Sequence, residues 1–198
     1  LFILLKYLKL IFIPYPLSYD YSFNQISVYD LLSVESLASF IIYLTILITG
    51  LLLFIKRNII GFGLLFYLTM ISVTSNIFFL IGTIMGERLL FTSLLGILIA
   101  FVFIVFKYFK TEYSVLLMLF IISVFGFMTI KQNRVWKNDI TLSKHGTVFS
   151  PNSTKTHDKY GEKLFILYLK TKNDIYKEKA KIHLIKALNI YPENQFSL

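Results

Sequence analysis

Three stretches of this chain run for eighteen or nineteen positions without a charged side chain: Leu37 to Ile55, Leu89 to Phe106 and Tyr113 to Ile130. At 1.5 Å per residue a helix of that length spans roughly 27 Å, about one hydrocarbon core. Backbone amides at that depth have no water to bond, so such runs fold as helices and not as irregular chain. The whole chain agrees: 198 residues, 56% hydrophobic, 16% charged and a mean hydropathy of +0.69 are too apolar for a soluble domain. The expected fold class is therefore all-α, a polytopic transmembrane helical bundle followed by a soluble helical hairpin. Cysteine is absent, which excludes disulfides and thiolate metal sites.

The segment from Ile59 to about Ser75, after the Lys56-Arg57-Asn58 turn, is expected to make a fourth crossing, its far end marked by Ser72-Val73-Thr74-Ser75-Asn76. Ile77 to Gly86 is too short to cross again and should dip into the interface or re-enter, protected by protein or lining a wet cavity. Residues 1–13 read as the end of an earlier helix, stopped by Pro14 and Pro16, and the chain is expected to be a fragment that opens mid-helix. Lys56, Arg57, Lys107 and Lys110 fall in the loops on one side, which the positive-inside rule makes cytoplasmic. The opposite segments, Pro14 to Ser36 and Asn76 to Leu90, hold Asp20, Asp30, Glu35 and Glu87 against the single base Arg88. Parity then puts everything beyond Ile130 outside the cytoplasm. Residues 1–130 thus form the C-terminal part of a membrane domain, with crossings at about 37–55, 59–75, 89–106 and 113–130. Residues 131–198 form an extracytoplasmic helical region.

That region changes character at Lys131 and collects 13 of the 20 basic residues against six acids. Trp136 suits an interfacial anchor. Asp139 to Phe149 reads as a short helix, with Ser153 or Thr154 capping the next one. Over about 154–192, the order His157, Tyr160, Gly161, Leu164, Ala180, Leu184, Ala187, Pro192 follows the hallmark positions of a tetratricopeptide (TPR) repeat. In that motif glycine lets two helices approach, alanines accept a neighbour's bulk and proline stops the second helix. This copy carries His157 in place of the usual tryptophan and about seven extra residues, expected between its helices around Thr171-Lys172-Asn173-Asp174. A single repeat cannot bury its face, so further repeats are expected beyond Leu198; an ordinary basic hairpin is the plainer reading.

Glu87 and Arg88 are the charged residues between Arg57 and Lys107, and ionisable groups beside apolar runs mark sites that use them. Adjacent helical residues do not face each other, so each needs its own partner. Arg88 carries the planar donor fork that suits a lipid phosphate, and Glu87 can accept a hydroxyl proton. Bonds from both to neighbouring segments, holding the loop, would explain them equally. Lys9, with Lys6, either snorkels toward head groups or supplies a basic wall for the same phosphate. His145, His157 and His183 have no metal-ligand spacing and read as surface or packing residues; no metal or resident cofactor is expected. The abundant Phe and Tyr suit lipid-facing helices and interface belts. Nothing points to nucleic acid.

Three blocks, in order, resemble the TMTC family of transmembrane, tetratricopeptide-containing O-mannosyltransferases, and most of all its bacterial homologues. The first runs from Tyr7 through Pro14-Tyr15-Pro16-Leu17-Ser18-Tyr19-Asp20 to Tyr21. The second is Ser75-Asn76-Ile77-Phe78-Phe79 leading into Gly86-Glu87-Arg88-Leu89-Leu90-Phe91 and on to Gly96. The third is Trp136, then Ser150-Pro151-Asn152-Ser153 and the repeat. Thr92-Ser93-Leu94 lacks the proline usual in that family. The resemblance implies a GT-C-like membrane glycosyltransferase with a polyprenyl- or dolichyl-phosphate-linked sugar as donor. It also implies membrane lipid as a partner and a protein acceptor or other partner at the TPR region. The setting would be a bacterial inner membrane, or the endoplasmic reticulum membrane in a eukaryote. The catalytic base is expected in a loop preceding Leu1, so Glu87, Arg88 and Lys9 are candidates for binding the lipid phosphate alone. The rival functions are a non-catalytic membrane-anchored TPR scaffold and a lipid or solute transporter.

Overall fold

The computed structural model describes residues 2–26, 30, 32–76 and 81–192, and all regular secondary structure among them is helical. Eight α-helices follow in order: α1 Phe2–Phe12, α2 Val34–Ile55, α3 Ile59–Thr74, α4 Leu90–Tyr108, α5 Thr111–Asn133, α6 Asp139–Phe149, α7 Thr154–Thr171 and α8 Asp174–Ile190. The chain divides into two compact units, one made of Leu1–Tyr15, Val28–Gly82 and Glu87–Phe127, the other of Pro16–Ser27, Thr83–Gly86 and Met128–Leu198.

The first unit holds the apolar helices. Ser33 starts α2 by accepting the Ser36 amide proton on its hydroxyl, and Asn58 starts α3 by accepting that of Ile60 at 3.0 Å. Between those helices Arg57 adopts a left-handed φ of 52°, which closes the turn tightly. Three helical stretches, Val34–Ile55, Glu87–Tyr108 and Thr111–Asn133, are long and apolar enough to cross a membrane, whereas α3 has 16 residues. α3 and α4 pack closely where Gly63 and Gly96 face each other's carbonyl groups and a methyl at either position would overlap backbone. Such glycine contacts replace the hydrophobic drive that apolar surroundings do not supply. A tyrosine relay ties α1, α2 and α3. Tyr43 donates to the Leu4 carbonyl at 3.1 Å, which leaves the Tyr67 hydroxyl to donate to Tyr43 at 2.6 Å. Hydroxyls along the apolar helices bond back one turn, as Thr45 to Ile41 and Thr69 to Leu65, so none needs water there.

The second unit is built on α6, α7 and α8. Asn138 and Thr141 form a reciprocal capping box at the start of α6. α7 and α8 form an antiparallel hairpin joined through Lys172 and Asn173, with Lys172 left-handed at φ 55° and Asn173 accepting the Ile175 amide proton. The extra residues anticipated between these helices are not a loop. They lengthen α7 to 18 residues, because Phe165 to Thr171 continue its helical pattern and the turn needs two residues to close.

Candidate functional site

Glu87 and Arg88 lie in a 3₁₀ turn, Glu87–Leu89, that leads into α4. Glu87 is half-buried and engaged by a neighbour, whereas Arg88 is exposed and no ion pair among the described residues involves it. Lys9 is exposed on the last turn of α1, and no ion pair brings it to Glu87. Lys6 instead stands over the Phe2 ring at 5.3 Å. Of the expected interfacial piece Ile77 to Gly86, residues 77–80 lie outside the described residues; residues 81–86 are irregular, with Gly82 at φ 70° and Met85 buried.

The most elaborate polar site lies in the second unit, where the loop after the proline pair is strapped onto the start of α7. Asp20 is its hub, with a side chain 11% exposed. Its carboxylate accepts from the Ser22 amide and hydroxyl and from the Ser153 hydroxyl, each at 2.9 Å, and pairs with Lys155 at 3.4 Å. Backbone bonds extend the seam. Asn24 N–H donates to the Asn152 carbonyl, Thr154 N–H to the Phe23 carbonyl, and Asn152 N–H to the Gln25 side-chain carbonyl. Tyr19 packs its ring over Gly146 of α6, where a side chain would overlap it. Burial first, then the nearby Asp20 and Asp158 carboxylates, push the Tyr19 phenol far above its ordinary range. Ser153 stands at the N-cap of α7 as anticipated, but its hydroxyl serves Asp20 and makes no capping bond. The sequence blocks Pro14 to Tyr21 and Ser150 to Ser153, which carry much of the resemblance, thus meet in space.

The repeat positions also converge. Gly161 of α7 sits against Ala180 and Leu184 of α8, Leu164, Ala180 and Ala187 are buried, and Pro192 is exposed just past the end of α8. Tyr160 meets the His183 ring edge-on at 4.7 Å. Sequence spacing gave no hint of a coupled histidine pair across the hairpin. His157 Nε2–H donates to the Pro151 carbonyl at 3.0 Å, so its Nδ1 accepts from His183 Nδ1–H at 2.9 Å. Burial lowers the His157 pKa to about 4, against the opposing Pro151 bond, and Lys186 and His183 add to the depression. The pair is neutral and structural near pH 7. Among the described residues no group of three or more His, Asp or Glu is placed to hold a metal ion. His145 packs against Phe149 at 4.3 Å.

Two curated proteins share sequence with this chain. "Protein O-mannosyl-transferase TMTC1" of Homo sapiens is 27% identical over 142 residues, and its Mus musculus counterpart is 29% identical over 146. The alignments take in 69% of this chain but 15% and 14% of those proteins. No family model matches, and no solved structure does.

Proposed function

Starting from that distant TMTC1 relationship, we propose that this chain is part of an integral-membrane glycosyltransferase that takes sugar from a polyprenyl-phosphate carrier, with its α7–α8 hairpin a first TPR-like repeat serving acceptor or partner binding. The observation that carries the reading is the composition of the second unit. Pro16–Ser27, Thr83–Gly86 and Met128–Leu198 fold together although two pairs of apolar helices, α2–α3 and α4–α5, separate them in sequence. That grouping supports a topology in which each pair leaves and returns to one side of the membrane, the short α3 crossing along with the three longer helices. The charges support an extracytoplasmic assignment for that side, because Lys56, Arg57, Lys107 and Lys110 fall in the loops opposite it in this topology.

Arg88 lies two residues beyond Gly86 in the chain and is exposed, so in this topology its fork is available to a lipid phosphate on the extracytoplasmic side. In the reaction a hydroxyl of the acceptor attacks the anomeric carbon, the carbon–oxygen bond to the carrier phosphate breaks, and a carboxylate removes the hydroxyl proton. Arg88 stabilises the departing phosphate. No residue of this chain is assigned the base. In the full protein, Arg88→Ala is expected to cut sugar transfer from a polyprenyl-phosphate donor by roughly 10²-fold or more while membrane insertion stays normal. Unchanged turnover would remove Arg88 from the reaction.

A further inference from the structure

Between the strap and α7 lies a cleft of about 230 Å³, with Phe23 and Tyr191 on one wall, their ring centroids 5.3 Å apart. Lys155 and Lys159 stand on its rim with exposed ammonium groups, and Asp158 and Thr154 form its buried side. Thr154 is 6% exposed, yet its hydroxyl oxygen has no hydrogen-bond partner. Buried polar atoms are nearly always bonded, and Thr154 lines the cleft, so a ligand there offers that hydroxyl a partner once it turns outward. Both lysines keep solvent-exposed side chains while paired, Lys155 with the largely buried Asp20 at a long 3.4 Å and Lys159 with the half-exposed Glu162 at 2.7 Å. Pairs of that kind are weak and give way to an incoming anion.

We propose that this cleft binds an acidic, aromatic-bearing polypeptide segment: one aromatic side chain enters against Phe23 and Tyr191, with its polar end toward Thr154, and flanking carboxylates take Lys155 and Lys159. Size argues for a single side chain, since the space falls below the roughly 300–1,000 Å³ of sites for whole small ligands and offers no length for an acyl chain. Charge argues the same way, because the region from Lys131 onward is strongly basic. Asp158 is already engaged and so is not a free acceptor for sugar hydroxyls. The proposal rests on the hairpin being a partner-binding surface and not on sugar transfer.

The test uses the full chain in phosphatidylcholine nanodiscs, without any sugar donor, and a fluorescent random Glu–Tyr copolymer read by anisotropy. Binding is expected to weaken roughly tenfold or more with Phe23→Ala and with the double change Lys155→Gln, Lys159→Gln, and to weaken comparably when the probe is poly-Glu. The two lysines are exposed, so the double variant keeps its fold and remains informative if Phe23→Ala does not. Equal affinity for poly-Glu, or binding indifferent to both variants, would overturn the proposal in favour of a merely basic surface. Full competition by phosphatidylglycerol vesicles would overturn it in favour of a lipid surface. Because no donor is present, failure here leaves the glycosyltransferase reading standing, and failure of that reading leaves the cleft standing.

Discussion

At the scale of single residues, the histidine pair makes the clearest prediction. Protonating His157 would place an imidazolium in a buried position, with Lys186 and His183 adding to the cost, which is why its pKa falls to about 4 from an ordinary 6.5; it would also set N–H against N–H across the 2.9 Å contact with His183. The unfolded chain therefore binds more protons than the folded one between those values. The hairpin's stability is complete above about pH 6.5 and declines as pH falls toward 4, by on the order of 2 kcal/mol. Hydrogen exchange of α7 and α8 amides in the full chain, followed from pH 7 to pH 4.5, should show protection lost across that window and not above it. A profile that does not change would contradict the assigned pairing. Nothing in the sequence announces this contact, because 26 residues separate the two rings and neither has a partner at ligand spacing. The hub role of Asp20 is hidden for the same reason. The block after the proline pair draws notice to Asp20, but its tie to Ser153 spans 133 positions.

Among the helices, the α3–α4 contact is decided by absence of side chain. Gly63 and Gly96 let the backbones touch, with Ala100 beside them, whereas Gly126 on α5 has open space around it. Gly96→Val should force the helices apart and cost about 1–3 kcal/mol, visible as a lowered thermal midpoint in detergent, while Gly126→Ala should leave it unchanged or slightly raised. Equal effects at the two sites would refute close packing as the cause. The apolar helices were legible because an unbroken charge-free run admits no other backbone solution at membrane depth. The limits of the repeat were less so. Around Thr171 polar residues suggested an inserted loop, but a lysine in left-handed geometry and an asparagine cap close the turn in two residues. The strap was not legible at all as a partner of α7, since half its bonds run through backbone groups that every sequence shares.

For the whole molecule, the account depends on where the chain passes from one side of the membrane to the other. α3 falls short of the three longer apolar helices, at 16 residues, and length by itself would leave it uncounted. The strap supports counting it in the proposed topology, since a loop that precedes α2 and a region that follows α5 are hydrogen-bonded together. An odd number of crossings between them would tear that seam. The proposed sugar transfer, the proposed phosphate contact of Arg88 and the proposed acceptor site on the hairpin would all need the same outward-facing side.

The chain has no cysteine, so single cysteines can be placed cleanly and labelled in intact cells with a membrane-impermeant maleimide. Asn24→Cys and Lys181→Cys are expected to react from outside, and Lys56→Cys and Lys110→Cys only after permeabilisation. Labelling that puts positions 24 and 181 on opposite sides, or 56 and 110 on opposite sides, would contradict the account.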